Sequence, residues 1–164
     1  MITHLRNHAI GRSALLIIGL AAALRVLWAA LVPVAPVSDQ VAYLTFARNI
    51  ALHGVYGWTQ YEPSAYWPVG TSAICAALYL AFGESYIPIV ILNIILGTAI
   101  VGLTIWLGRI FFDNATAILA GTFMAVWPSQ VAYVTILASE LPFTFLVLSG
   151  FSAWFSPRLP NAAR

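Results

Sequence analysis

The chain has 164 residues, 62% of them hydrophobic and 7% charged, with seven arginines, no lysine and five acids. Soluble domains carry about 25% charged residues, so this composition excludes a soluble globule, a disordered tail and a nucleic-acid binder, which needs a basic face. A spanning helix uses about 20 apolar residues; the length therefore allows four spans and one long loop.

The first 13 residues are polar and basic, with Arg6 and Arg12. Residues 14–33 then form a nearly unbroken apolar run. A secretory leader is the competing reading, but its apolar core is about 7–15 residues and ends at small residues. This run is longer, contains Arg25 and ends in Leu31, Val32 and Pro33. It is read as the first span.

Residues 34–86 change character. Pro33, Pro36, Pro63 and Pro68 break the chain, and Gly54, Gly57, Gly70 and Gly83 punctuate it. Tyr43, Tyr56, Trp58, Tyr61, Tyr66, Trp67 and Tyr79 suit a membrane–water interface. Ser38 is expected to cap a helix that starts at Asp39 and ends at Gly54. Its stripe of Tyr43, Phe46, Ala47, Ile50 and Ala51 fits a helix lying on the bilayer surface. A second, charge-free helix over 70–82 is too short to span and suits an interfacial or re-entrant position.

Three further spans follow over 87–108, 115–134 and 138–156. Pro128 predicts a kink or stop in the third near Trp127. With four spans, Arg6, Arg12, Arg109, Arg158 and Arg164 fall on one side and Arg48 on the other. The positive-inside rule then places both termini in the cytoplasm. Asp39, Glu62, Glu84 and Glu140 lie on the outer side. The single cysteine, Cys75, leaves redox compartment unread.

Few residues here can carry chemistry. Asp39 reads either as a carboxylate favoured at a helix start or as a general base at the membrane surface. Glu140, beside an apolar run, is either a loop acid reaching water or a functional group. Arg25, inside the first span, either reaches the interface with its long stem or faces a bundle interior, a carboxylate or an anionic headgroup. Glu62 opens the string Pro63, Ser64, Ala65, Tyr66, Trp67, Pro68, Val69, Gly70, an ordered turn whose rings either anchor at headgroup level or stack on a sugar. No His or Cys pair has zinc-ligand spacing, and no nucleophile elbow, P-loop or dinucleotide fingerprint occurs.

In chain order, these features form a pattern: Arg25; Ser38, Asp39 and Tyr43; Gly54, Val55 and Tyr56; the 63–70 string; Phe82, Gly83, Glu84 and Ser85; Asn93; Trp127 and Pro128; Ser139 and Glu140. The pattern resembles the N-terminal portion of the GT-C superfamily of membrane glycosyltransferases, similar to aminoarabinose transferases and protein O-mannosyltransferases. The resemblance runs from about Arg25 to Phe155.

The resemblance implies an all-α, polytopic bundle whose first outer loop, with two surface helices, roofs the active site. It implies that Asp39 is the catalytic base or the residue that activates the acceptor. It implies that Glu140 helps bind the acceptor, the donor phosphate or a divalent metal, with Asp39 as the other candidate metal ligand. Arg25 becomes a candidate phosphate partner, and Glu62, Tyr66 and Trp67 help shape the substrate site. The implied donor is a polyprenyl-phosphate-linked sugar, transferred to an acceptor on the outer face of a bacterial inner membrane. No organic cofactor is implied. Family members have further spans and often a further outer domain, so the chain corresponds to an N-terminal module or a truncated copy, or it is completed by a second membrane polypeptide. The alternative is a small noncatalytic membrane protein that binds membrane lipid, lipid-linked sugar or a partner's helices.

Overall fold

The computed structural model describes residues 2–156, with side chains from residue 11 onward. The arginine asymmetry rests partly on Arg6, Arg158 and Arg164, whose side chains lie outside the described residues. Among the described residues the fold is all-helical: α1 (Ile2–Leu31), α2 (Asp39–His53), α3 (Val69–Phe82), α4 (Ile87–Phe111), α5 (Asn114–Val126), α6 (Pro128–Ala132) and α7 (Glu140–Phe155). Two segments, Gly11–Leu31 and Ile87–Phe111, are long and apolar enough to cross a membrane. The 13 residues of α5 and 16 of α7 are shorter apolar helices.

α4 is the hub, packing on α1, α3, α5 and α7. Its direction relative to each neighbour follows from paired contacts. A side chain added at Gly97 would meet Arg25, and one at Gly102 would meet Ile18, so α1 runs antiparallel to α4. Phe112 and Asp113 turn α4 back into α5. α7 runs parallel to α4, because Pro142 shares a small cavity with Ile89 and Asn93 while Phe155 stacks edge-on against Phe111, with ring centroids 4.8 Å apart. Four helices therefore alternate in direction. The ends formed by Leu31, Ile87, Val126 and Glu140 gather at one end of the bundle, here the loop end; the α4–α5 turn marks the turn end.

α4 and α5 meet through small residues. A Cβ on Gly108 would lie 2.8 Å from Ala117 Cα, and one on Gly121 would run into Ile105 Cγ1. Close backbone approach of this kind suits helices packed by van der Waals contact. α5 stops at Val126, and Pro128 restarts the chain as the one-turn α6, since proline offers no N–H to continue the ladder. The break expected near Trp127 is present.

The two helices of the 34–86 loop pack on each other. Gly54, in the left-handed region at φ 68°, ends α2 with its N–H on Ile50 O at 3.0 Å. Two expectations are corrected. Ser38 does not cap α2 with its side chain: it has φ 51° and ψ −126°, and its hydroxyl instead donates to Asp39 Oδ1 at 3.2 Å. The apolar stripe of α2 does not lie open to a bilayer. Leu44, Ala47, Ile50 and Ala51 pack with Cys75, Ala76 and Tyr79 of α3, and Phe46 is buried under the rings of Tyr56 and Trp58.

Candidate functional site at the loop end

Between α6 and α7 the chain loses helical geometry over 133–139 but remains largely buried: Val134, Thr135 and Leu137 are each no more than 6% exposed. Buried irregular backbone needs hydrogen-bond partners from elsewhere. Two helices, α4 and α2, supply them, and α1 ties down a side chain of the same segment. Trp28 Nε1 of α1 donates to Thr135 Oγ1 at 3.0 Å. Asn93 Nδ2 of α4 donates to Val134 O at 3.3 Å. Leu137 N donates to Gln40 Oε1 of α2 at 3.1 Å. This clamped segment delivers Glu140 at the first residue of α7 and receives α2 one residue after Asp39.

The backbone entering α2 is strained. Gln40 N donates to Val37 O at 3.2 Å, closing a tight turn with Ser38 at its second position. The φ and ψ of Ser38 are those of a type II′ turn, a position that favours glycine. Strain of this kind costs about 1–3 kcal/mol and concentrates where geometry serves function. Here the turn sets Asp39 at the exposed helix start while Gln40 points inward to Leu137.

Asp39 and Glu140 are both exposed. Glu140 Oε1 accepts from the Tyr133 hydroxyl at 3.4 Å. The elements bearing the two carboxylates are stitched together by Gln40 and Leu137. A metal centre is not supported by this donor set: among the described residues no three His, Cys, Asp or Glu side chains gather to hold an ion.

Trp67 sits one turn along α2 from Asp39, because its ring stands edge-on to Tyr43 at 6.0 Å. The Tyr56 hydroxyl donates to Trp67 O at 2.6 Å and fixes the 63–70 string on α2. Burial pushes the Tyr56 phenol above its usual range, with the Ser72 hydroxyl opposing, so it remains a protonated donor. Tyr66 packs edge-on to Trp67 at 5.3 Å and is 83% exposed, a ring face open to ligand or headgroup. Glu62 is exposed; its carbonyl lies where a Cβ on Gly57 would be, so this turn requires glycine.

Arg25 stands apart from the carboxylates. Its side chain is fully buried between α1, α4 and α5. Nη1 donates to Ala21 O at 3.0 Å and to Ala125 O at 3.4 Å. Ala125 is the penultimate residue of α5, so its carbonyl lies beyond the reach of the helical ladder and at the negative end of the helix dipole. That end offsets the guanidinium charge in place of a carboxylate. Nε and Nη2 have no hydrogen-bond partner.

Three residues of the site were not singled out for chemistry from the sequence: Trp28, Gln40 and Thr135; away from the site, neither was the ion pair between Arg48 Nε and Glu84 Oε2 at 3.3 Å. A lone Gln or Trp carries no distinctive signal. Arg48 and Glu84 did carry one, as opposite charges on one loop. In comparisons with known proteins, no family model, curated protein or solved structure matches this chain.

Proposed function

We propose that the chain is a four-span membrane protein of the GT-C glycosyltransferase type, acting at its loop end on a polyprenyl-phosphate-linked sugar. The observation that carries this reading is the coupling of the Asp39 and Glu140 elements through Gln40 and Leu137, with Tyr43 and Trp67 one helical turn away. The alternation of α1, α4, α5 and α7 suits four crossings, with α6 extending α5 toward the interface. Both termini are then cytoplasmic and the loop end faces outward, in a bacterial inner membrane.

In this reading Asp39 takes the proton of the acceptor hydroxyl or amine as the sugar moves from the lipid phosphate. Glu140, held by Tyr133, positions the acceptor. Tyr66 offers its open ring to the sugar, and Glu62 borders the same loop. Arg25 supports the site electrostatically from one turn below Trp28; a sealed guanidinium does not touch the donor without movement of α5. Further spans, from the same or a second polypeptide, complete the donor site.

The test is release of polyprenyl phosphate from lipid-linked sugars by membranes containing the chain. Asp39→Asn should lower the rate about 10²- to 10⁴-fold, the usual contribution of a general base, while leaving insertion intact. A wild-type rate in Asp39→Asn would leave Asp39 as a helix-start carboxylate only. A second reading, a noncatalytic lipid-binding protein, is favoured by the sealed position of Arg25; it would be supported by donor binding without release.

A further inference from the structure

A groove of about 350 Å³ lies on the other side of α2, between that helix and the turn joining α3 to α4. Its lining includes Val41, Leu44, Arg48, Tyr79, Glu84 and Tyr86. Neither Asp39 nor Glu140 lines it, so it is distinct from the site above.

The groove has a polar mouth and an apolar wall. Arg48 and Glu84 form the mouth, with side chains 59% and 54% exposed. An ion pair this open to water contributes little to stability. It can therefore exchange for a ligand bearing both charges. The contact uses Arg48 Nε, leaving the terminal nitrogens for an anion; a guanidinium matches phosphate oxygens with its planar fork. Glu84 is placed to accept from an ammonium. Val41 and Leu44 form the wall, and Val41 is 43% exposed.

The depth of the groove is fixed by the two long apolar helices. Pro36 lies five residues beyond the end of α1, and Tyr86 is the residue before α4. Resting on the membrane reading proposed above, this is headgroup level, where tyrosine rings are favoured. Ile87, next in the chain, is 69% exposed and suits the acyl region below.

We propose that this groove binds the headgroup of a zwitterionic phospholipid carrying a primary amine. The phosphate sits on Arg48, the ammonium on Glu84, and the glycerol end on Val41 and Leu44. An anionic lipid without the ammonium meets the Glu84 carboxylate unfavourably. Free phosphate gains neither Glu84 nor the apolar wall.

The test is lipid retention by the purified chain, measured by native mass spectrometry after exchange into micelles containing equal phosphatidylethanolamine and phosphatidylglycerol. Phosphatidylethanolamine should be retained about tenfold more, and Arg48→Gln and Glu84→Gln should each remove most of that preference. Arg12→Gln, at the opposite end of the bundle, should retain it. Equal retention of the two lipids, or a preference unchanged in both groove variants, would overturn the proposal. Displacement by millimolar inorganic phosphate alone would overturn it in favour of a plain anion site. Release of the chain from membranes by carbonate would instead overturn the membrane reading; an embedded chain without headgroup preference overturns only the groove.

Discussion

The two ends of the bundle are held together by different physics. At the turn end, α4 and α5 follow ordinary helix rules. Gly108 lets the backbones touch at Ala117, and Asp113 caps α5 by accepting from Thr116 N at 2.7 Å. At the loop end those rules are broken. Ser38 fails to cap, its backbone occupies a glycine-like region, α5 is cut at Pro128, and 133–139 is buried without helix. Side chains from α2 and α4 satisfy what the backbone leaves open, and Trp28 of α1 holds the Thr135 side chain. Local irregularity sustained by distant polar contacts marks the end where chemistry can be built; regular packing marks the scaffold.

The sharpest way to break this contrast is to disturb the turn end. Gly108→Val places side-chain atoms against Ala117 Cα, a backbone atom that cannot rotate away. Overpacking of this kind costs about 3 kcal/mol. Thermal unfolding in detergent should show a large fall in midpoint for the whole bundle. Gly150→Ala is the control, because nothing lies within 4 Å of its added Cβ; it should leave the midpoint unchanged or raise it. Equal effects would mean that α4 and α5 are not packed through Gly108.

At the loop end the expected effect is smaller and more local. Gln40→Leu leaves the buried Leu137 N–H without its acceptor. An unpaired buried donor costs about 1–3 kcal/mol. Hydrogen exchange should speed at Leu137 and its neighbours while the α4–α5 interface stays protected. Gln40→Glu, which retains an acceptor oxygen, should restore much of the protection. Uniform loosening of both ends in Gln40→Leu would show that the clamp is not a local device.

Much of α2 and the break after α5 was legible in the sequence, because the signals are short-range. Asp39 at the start of α2, Gly54 at its end and Pro128 after α5 each act within a few residues. The loop-end clamps were not legible. Trp28 and Thr135 are 107 residues apart, Gln40 and Leu137 are 97 apart, and Asn93 and Val134 are 41 apart. No periodicity encodes such pairs. The stripe on α2 was read correctly as apolar, but its partner was not, since an apolar face suits helix α3 as well as a bilayer. Arg25 was read as buried or reaching outward; its acceptor, a carbonyl exposed by the end of α5, exists only once α5 and α1 are packed.

The smallest expected effect compares the caps themselves. Asp113 accepts the Thr116 backbone N–H, and this hydrogen bond, aided by the Thr116 hydroxyl, holds its carboxyl below the usual carboxylate range. A depressed folded-state pKa stabilises the fold above the unfolded value, near about pH 3.9 for Asp. That contribution is lost as pH falls through the lower folded value. Asp113→Asn retains an acceptor for Thr116 but not the charge. The variant should therefore unfold slightly earlier than wild type at neutral pH, and the two midpoints should converge as the solution is acidified. Ser38→Ala at the other end should show no such convergence, because its hydroxyl caps nothing. It should leave α2 in place, since the turn is closed by the backbone bond from Gln40 N to Val37 O. If Asp113→Asn and wild type differ by the same amount at every pH, the charge on Asp113 is irrelevant to α5, and the ordinary capping assigned to the turn end rests on the neutral hydrogen bond alone.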